Sequence, residues 1–149
     1  MKKKNHYYVR NLPLPELLVH LLEDNKWNHP GELRIKKVIP FFKEEIIFLQ
    51  SVREMELESH ILSESDGFFF EADSNKNPKA NNLPWLDTSL SFFIAVNKSI
   101  GADIGIALDY RTSIENPRVI GNNWHSNISG CPWQEISSTF EEFVNLLYS

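Results

Sequence analysis

The strongest candidate for nucleophilic chemistry in this sequence is a histidine and a cysteine that lie six residues apart. His125 and Cys131 fall in a stretch rich in Asn, Ser and Gly, which predicts a loop. A thiol becomes a nucleophile when a neighbouring imidazole takes its proton, so such a pair could support covalent catalysis. A lone cysteine is more often a buried apolar side chain, and we expect Cys131 to be one.

Carboxylates are the second group that could do chemistry. Asp87, Asp103 and Asp109 could exchange protons with a substrate. A structural role is favoured, because Asp87 is placed to cap or bend the LPWLD turn and Asp103 falls in an expected hairpin. The five histidines share no metal-ligand spacing, and neither GxxxxGK[ST] nor GxGxxG occurs. We therefore expect no catalytic residue, no metal and no cofactor.

Aromatic side chains at strand ends and in loops offer a possible binding surface. They could form a concave patch for a partner, or they could close the open end of the core. Both interpretations stay open, and charged residues beside them would belong to the same surface. The set comprises Trp85, Asp87, Asp109, Tyr110, Arg111, Trp124 and Trp133.

The charge of the chain is concentrated in residues 44–73. This segment holds nine acidic residues and one basic residue, Arg53, so its net charge is −8. The whole chain has a net charge of −5, so the remaining residues sum to +3. A nucleic-acid-binding protein would concentrate Lys and Arg instead, so we expect no nucleic-acid partner. The segment is either a solvated face or a surface that attracts a basic partner. Its candidate contact residues are Glu54, Glu58, Glu64, Asp66, Glu71 and Asp73.

The first half of the chain predicts alternating helices and strands. Leucines at three- and four-residue spacing predict the first helix, and the SVRE motif from Ser51 to Glu54 is a capping box that predicts another. We expect Glu54 and Glu58 to point to solvent, opposite Val52 and Met55. The predicted elements are a helix at 13–23, a strand within 33–41, an apolar run at 46–50, a helix from 51 to about 62, a strand at 67–72 and a mobile polar loop at 73–82.

The second half predicts a sheet with a helix packed on it. Residues 92–96 and 104–108 are nearly continuous apolar runs joined by a hairpin, so they should be central strands covered on both faces. Residues 118–121 predict a further strand and 124–132 a loop. Ser138 and Glu141 form a second capping-box pattern. The helix after them would present Phe140, Phe143, Val144 and Leu147 on one apolar face.

Length and composition fit one globular domain, and the order of the predicted elements makes it α+β. The chain has 149 residues, of which 42% are hydrophobic and 23% charged, and its single cysteine cannot form an internal disulfide. Residues 1–12 should be flexible. The apolar run after MKKKN is interrupted by two prolines, Glu16 and His20, which argues against a targeting signal. No run approaches the roughly 18 apolar residues of a membrane helix, so we expect a cytoplasmic protein without membrane contact.

The carboxy-terminal motifs resemble those of the SUKH superfamily, which contains fungal regulators of glucan synthesis and bacterial toxin-immunity proteins. The resemblance covers residues 83–147 and is weaker over VIPFFKEEIIFLQSVREME. In that family a strand ending in Asp leads to a Pro-Val strand, a Trp-containing turn and an sFeeFl helix. The corresponding residues here are 106–109 (IALD), 117–119 (PRV), Trp133 and 140–143 (FEEF).

The resemblance implies a mixed, mostly antiparallel sheet with flanking helices, and a protein-binding function. Many bacterial members of the family are thought to bind and neutralise a polymorphic toxin, often a nuclease or deaminase, and to have no catalytic residues. A basic toxin would suit the acidic segment. The alternatives are a regulatory scaffold of the fungal kind and, less favoured, a small enzyme. The sequence predicts neither the identity of the partner nor the oligomeric state.

Overall fold

The computed structural model describes residues 7–63, 70–99, 104–127 and 130–149. Within these ranges the chain alternates short helices and strands. The helices are α1 (Glu16–Glu23), α2 (Glu32–Val38), α3 (Val52–Ser63) and α4 (Phe140–Tyr148), with a 3-10 helix at Pro78–Asn81. The strands are β1 (Tyr8–Val9), β2 (Leu12–Pro13), β3 (Ile46–Phe48), β4 (Glu71–Ala72), β5 (Leu86–Asp87), β6 (Ser91–Asn97), β7 (Gly105–Asp109), β8 (Arg118–Asn122) and β9 (Trp133–Ser137).

The main sheet has five strands in the order β3-β6-β7-β8-β9, and all neighbouring pairs are antiparallel. Every residue of β6 and β7 is buried except Asn97, which is half-buried at the end of β6. This confirms the prediction that the two apolar runs are central strands, since a strand covered on both faces has no polar side to show. Helix α3 lies against β6, where the hydroxyl of Ser59 accepts a hydrogen bond of 3.0 Å from the amide of Phe93.

Helix α4 packs on the sheet, as predicted. Phe140, Phe143 and Leu147 are buried, and the ring of Phe140 lies 5.6 Å from that of Trp27. The capping box is shifted by one residue from the prediction. Thr139, not Ser138, accepts the hydrogen bond from the amide of Glu142, at 3.1 Å. Glu142 in return accepts from the amide of Ser138 at 3.0 Å, so Glu141 has no part in the cap.

The strand predicted within residues 33–41 is wrong, because this segment forms helix α2. Leu33 is 87% exposed, whereas Ile35 and Ile39 are buried and Val38 packs against the core. The core positions therefore recur at three- and four-residue spacing, which is the helical period and not the strand period. The alternation of Leu33 with Ile35 suggested a strand only because Leu33 was taken as a core residue.

The strand β9 was not predicted. The predicted loop at 124–132 ends where β9 begins, and β9 is an edge strand paired only with β8 in the main sheet. Gln134 and Glu135 are exposed while Trp133 and Ser137 are buried. An edge strand with exposed polar residues has a weak apolar pattern, and residues 133–137 (WQEIS) show no strict alternation.

The first helix and the third were located correctly, with adjusted bounds. The helix predicted at 13–23 starts at Glu16, because Pro13 belongs to β2 and Pro15 stands just before the helix. At the start of α3, the hydroxyl of Ser51 accepts from the amide of Glu54 at 3.1 Å, which confirms the capping box. Met55 of this helix is buried.

The remaining segments form two small sheets. Strands β1 and β2 pair antiparallel inside the stretch expected to be flexible, and Val9 is buried there. Strand β4 pairs parallel with β5, so part of the strand predicted at 67–72 is present; residues 67–69 lie outside the described residues. The predicted loop at 73–82 holds a turn and the 3-10 helix, and its mobility stays a prediction. The result is one α+β domain, as the sequence predicted.

Candidate functional site

Asp109, the last residue of β7, lies at the centre of a buried ion cluster. Its Oδ1 accepts from the amide and Nε of Arg111, at 3.0 and 2.8 Å. Its Oδ2 accepts from Nη2 of Arg111 and from Nε of Arg118, each at 2.8 Å. Arg111 also donates to the carbonyl of Ala80 at 2.7 Å, which ties the 3-10 helix to the sheet. Four charge-assisted hydrogen bonds on a carboxylate with no exposed surface make the cluster a structural element.

The cluster determines how Asp109 ionises. Burial opposes the charged form, but the hydrogen bonds and positive charges of Arg111 and Arg118 outweigh that effect and hold the pKa of Asp109 below its ordinary value. The side chain of Arg111 is only 7% exposed. Asp109 and Arg111 were predicted as partner-binding residues. For Asp109 that prediction is wrong, because it has no exposed surface. For the half-buried Arg111 it stays a prediction, and the guanidinium is engaged with Asp109 and Ala80.

Tyr110 is also a core residue and not part of an exposed patch. Its ring lies 5.7 Å from that of Phe92, and its hydroxyl donates to the carbonyl of Pro13 at 2.5 Å. Burial raises the pKa of this hydroxyl. Trp133 is buried as well, with its ring 5.6 Å from that of Phe93. These two aromatic residues close the core, which is the second of the two interpretations that the sequence left open.

Trp85 lies in the turn that follows the 3-10 helix, and Asp87 is the last residue of β5. Trp85 is half-buried, with its ring 4.9 Å from Phe70 and the Nζ of Lys79 5.3 Å from its centroid. Asp87 is fully buried, and its Oδ1 accepts from the amide and hydroxyl of Ser89 at 2.9 and 2.7 Å. Asp87 was predicted to cap or bend the LPWLD turn, but it caps the turn after β5 instead, and its predicted role in partner contact is wrong because it has no exposed surface.

Of the loop aromatics, Trp124 is the exposed one, at 38%. It follows β8 in the turn that also contains His125, which is exposed. Cys131 is buried, as expected for an apolar filler. Of the aromatic residues in the predicted composite surface, Trp124 is therefore exposed and Trp85 half-buried.

The predicted acidic surface is divided among three parts of the fold. Glu44 and Glu45 are exposed ahead of β3, whereas Glu71 and Asp73 are half-buried at β4. Glu64 and Asp66 lie outside the described residues. What remains on one helix we name the α3 surface, which consists of Glu54, Glu56, Leu57 and Glu58.

The α3 surface is acidic with an apolar centre. Glu54 and Glu56 are exposed, Glu58 is half-buried and Leu57 is 55% exposed. Glu58 is thus less exposed than predicted. Glu54 also has a local role, since its carboxylate accepts from the amide of Gln50 at 3.1 Å. Glu56 lies beside the β1–β2 turn, where its carboxylate accepts from the amide of Arg10 at 3.4 Å.

A second acidic feature lies between the starts of α1 and α4, and the sequence did not predict it. A depression of about 620 Å³ is bounded by α1, by residues 114–116 and by α4. We name it the α1–α4 groove. Three exposed carboxylates line it, from Glu16, Glu115 and Glu141. Glu16 lies far from Glu115 and Glu141 in the sequence, so no local motif could have connected the three residues.

In the described part of the chain, no three His, Cys, Asp or Glu side chains are grouped closely enough to hold a metal ion. None of the described helices is both long enough and apolar enough to cross a bilayer.

Comparison of the chain with protein-family models, with curated proteins and with solved structures gives no match. The SUKH resemblance of residues 83–147 therefore stays a prediction from the sequence.

Proposed function

We propose that this chain is a non-catalytic domain that binds a basic protein, and that the partner is a toxin which it neutralises. The observation that carries the proposal is the α3 surface, where Glu54 and Glu58 lie within one helical turn of Leu57, which is 55% exposed. Arg53 is the one basic residue of the acidic segment 44–73, and it is exposed four residues before Leu57. Such a surface attracts positive charge over a distance and offers apolar area on contact.

The energetics of α3 are consistent with a surface kept for binding. Glu54 and Glu58 are four residues apart on the helix, and like charges at this spacing cost a few tenths of a kcal/mol. Leu57 lies three residues after Glu54, so these side chains share one face of the helix. A basic partner would remove the repulsion and cover the leucine.

The placement of the candidate catalytic residues also favours binding over catalysis. Asp109 and Asp87 use their carboxylates to hold the fold together, with no exposed surface. Cys131 is buried. A group engaged in this way would have to leave its structural partners before it could act on a substrate.

The identity of the partner class comes from the SUKH resemblance. Toxin domains of the nuclease class act on a polyanion, and a surface that binds a polyanion is positively charged. An acidic inhibitor is therefore complementary to the very surface such a toxin needs, and it would associate rapidly.

The proposal predicts a neighbouring gene that encodes the toxin domain, and co-expression of that domain with this chain tests it. We expect cells that express the toxin domain alone to stop growing and cells that also express this chain to grow, with the two proteins purifying as one complex. Growth arrest in the presence of folded, abundant chain would contradict the proposal. A Cys131→Ala variant should protect as well as the unchanged protein, because the buried thiol has no role in binding.

A further inference from the structure

The α1–α4 groove combines negative charge with apolar side chains. Its floor includes the buried Phe140, and its walls include the half-buried Leu17 and Ile114, which is 50% exposed. Glu16, Glu115 and Glu141 supply carboxylates from three separate segments. A ligand that fits this combination carries positive charge at the end of an aliphatic stem, as lysine and arginine do.

The three carboxylates are available to a ligand. The cap of α4 uses Glu142, so Glu141 is not needed for it. In the described ranges, Glu115 and Glu141 have no Lys or Arg within ion-pair distance, and Glu16 approaches only His20, at 3.9 Å. The lining residues include no Lys or Arg. The negative charge of the groove is therefore not neutralised by the fold.

The groove is elongated, which favours a polypeptide segment over a single cation. A second depression of about 270 Å³ adjoins it along α1 and is lined by Tyr7 and Tyr8. The two depressions share the lining residues Pro13, Leu14, Glu16 and His20. Tyr8 is 47% exposed and belongs to β1, which lies against α3. The two depressions together thus reach from Glu115 and Glu141 past Glu16 to Tyr8.

From these observations we propose that the α1–α4 groove binds an extended segment of the partner protein that is rich in lysine or arginine. The proposal rests on the proposed function in taking the partner to be a basic protein. The α3 surface then attracts the partner, and the groove holds one of its basic segments.

The test uses a defined probe, a blocked five-residue peptide that alternates lysine and leucine. Binding is followed by the amide chemical shifts of the full chain at low salt, with an alternating glutamate and leucine peptide as the negative control. We expect the lysine peptide to shift the amides of Ile114, Glu115 and Glu141, and the glutamate peptide to leave them unchanged.

Two triple variants, each with three charges removed, locate the site. Glu16→Gln/Glu115→Gln/Glu141→Gln should weaken binding of the lysine peptide about tenfold, since each exposed ion pair contributes modestly. Glu54→Gln/Glu56→Gln/Glu58→Gln removes the same charge from the α3 surface and should leave the dissociation constant within about twofold. Glutamine at residue 54 keeps the capping interaction, so this control should fold normally.

A third variant, Ile114→Ser, leaves the charge unchanged and should weaken binding through lost apolar contact. Failure of the lysine peptide to bind, or equal weakening by both triple variants, would overturn the groove proposal. Loss of binding in the α3 variant alone would also overturn it. None of these results would touch the co-expression test, in which loss of protection by this chain would instead contradict the proposed function.

Discussion

At the scale of single residues, Asp109 joins three parts of the chain. Its carboxylate contacts Arg111 just after β7 and Arg118 at the start of β8, and Arg111 reaches the 3-10 helix. Removing one member of a buried ion pair leaves the other charged and unpaired, which is strongly destabilising. The cluster should therefore be the polar feature on which stability depends most.

We predict that Asp109→Asn lowers the free energy of unfolding by about 3 kcal/mol, because two largely buried guanidinium groups lose their counter-charge. Urea denaturation measures this change. The control is Glu135→Gln, since Glu135 is 45% exposed and lies 3.6 Å from Arg118; it should change stability by less than about 1 kcal/mol. Equal stability of the two variants would show that the cluster contributes no more than a surface ion pair.

The same variant should alter the pH dependence of stability. Because the pKa of Asp109 is lowered in the folded protein, its contribution is fully present above the pKa of the unfolded chain and is lost as the pH falls through the folded pKa. Asp109→Asn should remove that part of the acid-induced loss. An unchanged acid limb in the variant would contradict the assignment.

The contacts of Asp109 also explain why the sequence wrongly predicted it to be an exposed binding residue. The order Asp109-Tyr110-Arg111 indicates that charged and aromatic groups are close, and the sequence alone suggested an exposed patch. Arg118 completes the buried cluster around Asp109, because it donates to the Asp109 carboxylate from the next strand. A cross-strand partner is not visible in the local pattern, because it depends on the register of β7 with β8.

At the scale of elements, the start of α4 has two candidate capping residues, Ser138 and Thr139. The sequence suggested Ser138 as the cap with Glu141, whereas the structure has Thr139 with Glu142. The amide of residue N3 must point at the capping oxygen, so only one of the two residues can fill the role. Stability measurements can distinguish them.

We predict that Thr139→Ala lowers the free energy of unfolding by about 1 kcal/mol, because the amide of Glu142 loses its acceptor. Ser138→Ala should have little effect, since Ser138 contributes its backbone amide to the box. Thermal or urea denaturation of both variants gives the answer. The reverse order of stabilities would place the cap at Ser138.

Elements were predictable where one period dominates. The runs that became β6 and β7 are apolar throughout, and α4 repeats its phenylalanines and leucine at helical spacing. Helix α2 was not predictable in the same way, because the apolar Leu33 lies outside the core. Strand β9 was not predictable either, because this edge strand exposes the polar residues Gln134 and Glu135.

At the scale of the whole molecule, the distribution of charge decides how a partner approaches. The excess of acid in residues 44–73 was apparent from the sequence, but its division among β3, α3 and β4 was not. The α1–α4 groove was not apparent either, since Glu16, Glu115 and Glu141 meet only in the folded domain. The sequence thus predicts a basic partner, and the fold shows which acidic surfaces are candidates to bind it.

The most direct measurement of the central claim is the association rate constant of this chain with the toxin domain against which it protects cells in the co-expression test. It should be measured at low and at high salt, for the unchanged protein and for Glu54→Gln/Glu56→Gln/Glu58→Gln. We predict that the rate constant falls steeply as salt rises, and that the triple variant associates several-fold more slowly at low salt but nearly normally at high salt, because screening removes the attraction in both proteins. A rate constant that does not change with salt, or that is the same for both proteins at low salt, would contradict the account of an acidic surface that captures a basic partner.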